Sequence, residues 1–116
     1  MKQFTITKRQ IDHVSILDIQ GELDAHTAFQ LEQELKTLID SESYHIIVNC
    51  RELAYIASAG LGVFMAYIED IRNLGGDIKL SNMTESVFHV FDLLGFPSLY
   101  DILNDESEAI EGFKSL

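Results

Sequence analysis

The run Tyr55-Ile56-Ala57-Ser58-Ala59-Gly60-Leu61-Gly62 is the stretch of this chain best suited to chemistry. It follows an apolar segment and opens a helical pattern. A helix start presents backbone N–H groups without internal acceptors, and its potential favours anions. Ser58 is placed there as N-cap, and the small Ala59 and Gly60 let a phosphate or a partner surface come close. Phosphorylation of Ser58 would add roughly −1.5 to −2 charges beside those donors. The fold can tolerate such a group while the recognition surface around it changes. The same residues have a purely structural reading. Serine is a common N-cap, and Gly60 and Gly62 would let helix and sheet pack closely.

The run carries no enzyme signature. It lacks the glycine-rich loop and lysine of a phosphate-binding loop, the dinucleotide fingerprint, and the Gly-x-Ser-x-Gly frame of a nucleophile elbow. A small hydrolase or transferase built on Ser58 and a histidine has no base and orienting group beside it. His13, His26, His45 and His89 are scattered without metal-ligand spacing, so neither metal nor cofactor is expected. His26 lies near Asp24 at an expected helix start, where an acidic cap and an exposed histidine need no catalytic role. Cys50 reads as a small buried side chain. Glu85, Ser86, His89 and Asp92 share a helix whose open side is either solvated or part of a partner surface. Phe88 and Phe96 read as core aromatics, or as interface anchors if exposed.

The elements that must position these residues emerge from hydrophobic periodicity. Phe4 to Thr7 and Val14 to Ile19 alternate as strands, with Gln10 to His13 as a tight hairpin connection. Gly21-Glu22-Leu23-Asp24 closes this unit, with Asp24 as the expected N-cap of a helix carrying Phe29, Leu31, Leu35, Leu38 and Ile39 on one side. Tyr44 to Cys50 reads as an interior strand. Leu61, Phe64, Met65, Ile68 and Ile71 make the apolar stripe of the helix opened by Ser58, which Gly75-Gly76 stops. Asp77 to Ser81 is a short strand, and Asn82 with Glu85 has the spacing of a capping box. Val87, Val90, Phe91 and Leu94 then form a stripe ended by Gly95 and Pro97. Leu99 to Ile102 is a last small strand, and Asn104 or Asp105 caps a final helix with Ala109, Ile110, Phe113 and Leu116 on its inner side. Acidic Asp105, Glu106, Glu108 and Glu111 suit the start of that helix.

Alternation after the hairpin predicts an α/β fold, a mostly parallel mixed sheet with about four helices. The 116 residues suit a single domain spanning 1–116, and 47% apolar content suffices for a core. Eight basic against nineteen acidic residues leave a net charge of −11, which disfavours nucleic-acid backbone and anionic lipid as partners. One cysteine excludes an intrachain disulfide. No apolar run nears the roughly 20 residues of a membrane span. A cytoplasmic protein with neither direct nucleic-acid binding nor membrane insertion is expected.

In this order, the pieces resemble the STAS domains, and more closely the bacterial anti-sigma factor antagonists. The likeness rests on the hairpin ending in Gly21-Glu22-Leu23-Asp24, the central strand, Ser58-Ala59-Gly60-Leu61-Gly62 at a helix start, Gly75-Gly76, and Leu94-Gly95-Phe96. It spans nearly the whole chain. The resemblance implies a switch protein rather than an enzyme. Its unphosphorylated form binds an anti-sigma factor related to histidine-kinase ATPase domains, which then frees its sigma factor. The partner acts as a serine kinase on the antagonist and so weakens the complex, and a metal-dependent serine phosphatase reverses the mark.

Carried onto this chain, the resemblance implies Ser58 as phosphoacceptor. The implied contact surface comprises Asp24, Ala57, Ser58, Ala59, Gly60, Leu61 and Gly62, with Glu85 and His89 on the neighbouring helix. Two residues depart from the pattern. Ala57 stands where many such sequences have aspartate, which either alters the local geometry and kinase recognition or removes a like charge beside a phosphate. Ala59 stands where some relatives have a second hydroxyl, which leaves Ser58 as the one acceptor in the motif. The alternative is a STAS domain that acts without phosphorylation, as an adaptor in a larger signalling or transport complex.

Overall fold

The computed structural model describes residues 3–114. A five-stranded sheet in the order β1-β2-β3-β4-β5 forms its centre. β1 (Thr5–Ile11) and β2 (Val14–Leu23) are an antiparallel hairpin turning at Asp12 and His13, and β3 (His45–Ile56), β4 (Asp77–Ser81) and β5 (Ile102–Leu103) add in parallel. The connecting helices are α1 (Ala28–Asp40), α2 (Ser58–Asn73) and α3 (Glu85–Leu93). A 3-10 turn (Phe96–Ser98) precedes β5, and α4 (Glu106–Lys114) comes after it. The α/β class, hairpin, mixed sheet and four helices agree with the expectation from sequence.

The sheet is covered unequally. The main core joins Leu17, Ile19, Leu23, Ile46, Val48, Cys50, Ile78 and Leu80 of the strands to Leu31 and Leu35 of α1, Phe64 and Ile68 of α2, and Phe91 of α3. The other face is closed by α4, whose Ala109 and Phe113 pack on Val14, Ile16 and Ile47. Polar bonds fasten the start of α4. Arg9 Nη2 donates to Glu106 Oε1 at 2.6 Å and to Asp18 Oδ1 at 2.8 Å, and Asn49 Nδ2 donates to Glu106 Oε1 at 3.0 Å. Leu116 lies outside the described residues.

β3 runs six residues beyond the expected end at Cys50. Two register shifts against β2 explain why: Asp18 and Gln20 pair with Asn49 and Glu52, then Gly21 and Glu22 pair with Leu53 and Tyr55. Each shift inserts one residue into β3, so Cys50, Leu53 and Ile56 all face the core while Arg51, Glu52, Ala54 and Tyr55 are exposed. Such irregularities bend a strand and re-aim its far end, which here leads into the start of α2. Gly21 has φ +101°, and a Cβ there would stand 2.8 Å from the Gln3 carbonyl oxygen, so glycine is required where the hairpin closes.

Several helix caps differ from the sequence expectation because capping depends on backbone angles as well as residue type. α1 begins after Thr27 rather than Asp24, whose Oδ1 instead accepts the His26 N–H at 2.9 Å. α3 is capped by Thr84, which accepts the Val87 N–H, while Asn82 has φ +59° and donates its N–H to the Leu103 carbonyl at 3.3 Å. Asp105 does cap α4, accepting the Glu108 N–H at 3.0 Å. The last strand is Ile102–Leu103, because Leu99 and Tyr100 still belong to the end of the 3-10 turn.

Candidate functional site

The end of β3 delivers the chain to α2 through one residue. Ala57, with φ −109° and ψ 173°, is the N-cap, and Ser58 is the first helical residue. This corrects the expectation that Ser58 caps the helix. Ala57 donates its N–H to the Leu23 carbonyl at 2.9 Å, and its own carbonyl accepts from Gly60 and Leu61 at 3.0 and 3.2 Å. The N–H groups of Ser58 and Ala59 have no acceptor among the described residues. Ser58 is exposed, and its hydroxyl makes no hydrogen bond to any described residue. A solvent-facing hydroxyl beside two free backbone donors at the positive end of a 16-residue helix is suited to carry an anion.

The two glycines of the motif do different things. A Cβ on Gly60 would lie 2.7 Å from Leu23 Cγ and 3.2 Å from Ile56 Cγ1, so Gly60 lets α2 sit down on β2 and β3. A Cβ on Gly62 would meet nothing within 4 Å. The close-packing account therefore holds for Gly60 and fails for Gly62.

Ser58 and Gly62 stand on the rim of an apolar groove of about 340 Å³, lined also by Leu61, Met65, Leu94 and Leu99 and floored by Phe96 and Tyr100. Met65, Leu94 and Leu99 are 48%, 59% and 62% exposed. Met65 and Leu94 were expected in core stripes, as was Phe29 of α1. All three are exposed: Phe29 lies on the side of α1 away from its buried Ala28, Leu31, Leu35 and Leu38, and Met65 and Leu94 open onto the groove. Phe64 and Phe96 are buried, whereas Phe88 is partly open. The groove is hidden in the sequence because it joins residues 58–65 to residues 94–100. The adjacent apolar pair Leu93-Leu94 just before Gly95 is the one available sign of it.

Asp24 does not line the Ser58 groove; its neighbour Leu23 makes the contacts to Ala57 and Gly60, while Asp24 bonds within the turn before α1. Glu85 and His89 do not line the Ser58 groove. They border a separate, shallower hollow with Ser86, Phe88 and Asp92. The other reactive groups are occupied elsewhere. Burial pushes the Cys50 thiol up to about 12. His45 stacks on Phe113 with ring centres 4.8 Å apart and meets the edge of His13 at 5.1 Å. Burial, reinforced by His13 and Lys79, lowers its pKa. Among the described residues no group of three or more His, Cys, Asp or Glu side chains is arranged to hold a metal ion. Among them, too, no helix is long and apolar enough to cross a membrane.

The STAS domain family model matches residues 5–109. The chain belongs to the STAS domain family. The anti-sigma-B factor antagonist of Listeria monocytogenes is 29% identical over 89% of this chain and 90% of its own length. That of Bacillus subtilis is 30% identical over 74% of this chain and 78% of its own. Among solved structures, the anti-sigma factor antagonist SpoIIAA in its unphosphorylated form superposes with a TM-score of 0.73 at 21% identity, covering 98% of this chain and 100% of that one. The Bacillus cell fate determinant SpoIIAA in phosphorylated form gives 0.72 at 23% identity, over 96% and 99%. The Listeria and Bacillus relatives are named as antagonists of anti-sigma-B factor, and the two SpoIIAA structures share this chain's fold.

Proposed function

We propose that this protein is a phosphorylation-regulated anti-sigma factor antagonist. Its unphosphorylated form binds an anti-sigma factor of the histidine-kinase-like ATPase type and so frees a sigma factor. The partner uses ATP to mark Ser58. In that step the Ser58 Oγ forms a bond to the γ-phosphorus, the bond to the ADP oxygen breaks, and the hydroxyl proton leaves to a base of the partner. A metal-dependent serine phosphatase restores the free hydroxyl.

The observation that carries this reading is the exposed, unbonded Ser58 hydroxyl beside two free N–H groups on the rim of an apolar groove. The groove supplies area for a partner, and a dianion at its edge makes burial of that edge costly. The two free donors can hold the phosphate without rearranging the helix. The names of the Listeria and Bacillus relatives support the antagonist role.

Incubation with extract of the source cells and labelled ATP tests the proposal. One phosphoryl group should enter the wild-type chain, and none should enter Ser58→Ala. Incorporation that persists in the variant overturns the site. Binding to a cellular partner with no incorporation under any growth condition would favour the unphosphorylated adaptor instead.

A further inference from the structure

The turn between β2 and α1 holds an arrangement that the role of Ser58 does not by itself explain. Thr27 is the N-cap of α1 by its backbone position, where a threonine hydroxyl ordinarily accepts an N–H from the first helical turn. Its hydroxyl makes no such bond. It turns back toward β2, donating to the Glu22 carbonyl at 2.8 Å and accepting the Asp24 N–H at 2.9 Å. It also lies 3.3 Å from Asp24 Oδ1. One hydroxyl thus clasps the residues on both sides of Leu23, at the cost of the helix cap.

Leu23 is the residue that touches the start of α2. Its carbonyl accepts the Ala57 N–H at 2.9 Å. Its fully buried side chain fills the space against Gly60, with Cγ 2.7 Å from where a Cβ would stand. Ser58 lies between these two contacts in the chain. A shift of Leu23 along the β2 axis would therefore move the backbone that carries the acceptor hydroxyl.

We propose that Thr27 is a positioning residue for Ser58. By fixing Glu22 and Asp24 it fixes Leu23, and Leu23 holds Ala57 and Gly60 so that the acceptor hydroxyl meets the partner's ATP in one orientation. The proposal rests on Ser58 being the phosphoacceptor. A misplacement of about 1 Å is enough to slow a transfer that depends on near-attack geometry.

The test compares Thr27→Val, which keeps the branched shape and removes the hydroxyl, with Thr27→Ser, which keeps the hydroxyl. Thr27→Ala serves as a second variant without the hydroxyl should Thr27→Val not fold. Amide hydrogen exchange on the full chain is read at Ala57 and, as a core reference, at Ile47. In Thr27→Val, Ala57 should exchange about tenfold faster relative to Ile47, the order expected when the two hydrogen bonds of the Thr27 hydroxyl are lost and part of that loss reaches Ala57. Thr27→Ser should stay near wild type.

Phosphoryl uptake from cell extract and labelled ATP, at substrate concentrations in the linear range, should fall with Thr27→Val and recover with Thr27→Ser. Phe113→Leu, which weakens the far face under α4, should leave uptake unchanged. Exchange at Ala57 that rises only in step with Ile47 overturns the proposal, as does wild-type uptake by Thr27→Val. A wild-type chain that takes up no phosphoryl group overturns the reading of Ser58, and the exchange ratios then decide whether Thr27 holds the start of α2.

Discussion

Gly62→Ala separates the two readings of this helix start, because fold and recognition respond to it in opposite directions. Gly62 is the fifth residue of a 16-residue helix, well inside it, and a Cβ there touches nothing within 4 Å. Glycine inside a helix costs about 1 kcal/mol relative to alanine, and no contact in this chain offsets that cost. The substitution should therefore stabilise the protein by about 1 kcal/mol, raising Tm by about 4 °C for a domain of this size. The added methyl also projects from the rim of the Ser58 groove. If a partner fills that space, overpacking of about 1–3 kcal/mol lowers the rate of Ser58 modification by about fivefold to about 150-fold. Thermal unfolding and the initial rate of phosphoryl uptake, measured on the same preparation, read the two effects. A stabilised variant that is modified at the wild-type rate would refute the claim that Gly62 is kept small for a partner. A destabilised variant would refute the propensity argument itself.

The same geometry sets three further outcomes. Gly60→Ala forces a methyl against Leu23 Cγ and Ile56 Cγ1, and overpacking of about 1–3 kcal/mol should outweigh the gain in helix propensity, so Tm falls where Gly62→Ala raises it. Ser58→Asp places a carboxylate at the groove rim and should weaken binding to the isolated anti-sigma partner about tenfold in a titration, with the unfolding free energy unchanged to within about 0.5 kcal/mol. Hydrogen bonding from Arg9, then Asn49, holds the Glu106 carboxyl below its ordinary 4.5. Its folded pKa is thus below the unfolded one. The stabilisation is complete above about pH 4.5 and is lost as pH falls through the folded value. Denaturant titrations should show Glu106→Gln less stable than wild type at pH 7, with the gap closing as pH falls below Glu106's folded pKa.

Much of the fold is legible in the sequence because periodicity names the residues that share a face. Ile46, Ile47 and Val48 mark a strand covered on both sides, and Leu61, Phe64, Ile68 and Ile71 mark the inner face of α2. Two kinds of feature escape. The extension of β3 to Ile56 is hidden because two inserted residues break the alternation, leaving Arg51 and Glu52 to imitate a loop. Helix caps at Ser58, Asp24 and Asn82 are displaced by a residue or more, since residue type alone does not fix the angles that decide a cap. At the site itself, Ser58 and the glycines stand out in the sequence. The free state of the hydroxyl, the split roles of Gly60 and Gly62, and the clasp of Thr27 around Leu23 depend on contacts between distant segments. So does the exposure of Met65 and Leu94, which face the groove rather than the core because Leu99 and the 3-10 turn stop short of covering them.

The central claim is that Ser58 carries a reversible phosphoryl group in the cell. Intact-mass spectrometry of the protein recovered from its native cells, before and after serine-phosphatase treatment and with fragment localisation, tests it most directly. A phosphatase-sensitive increase of one phosphoryl mass should appear on the fragment holding Ser58, present under some growth conditions and absent under others. An unmodified chain under every condition, or a phosphoryl group on any other residue, would contradict it.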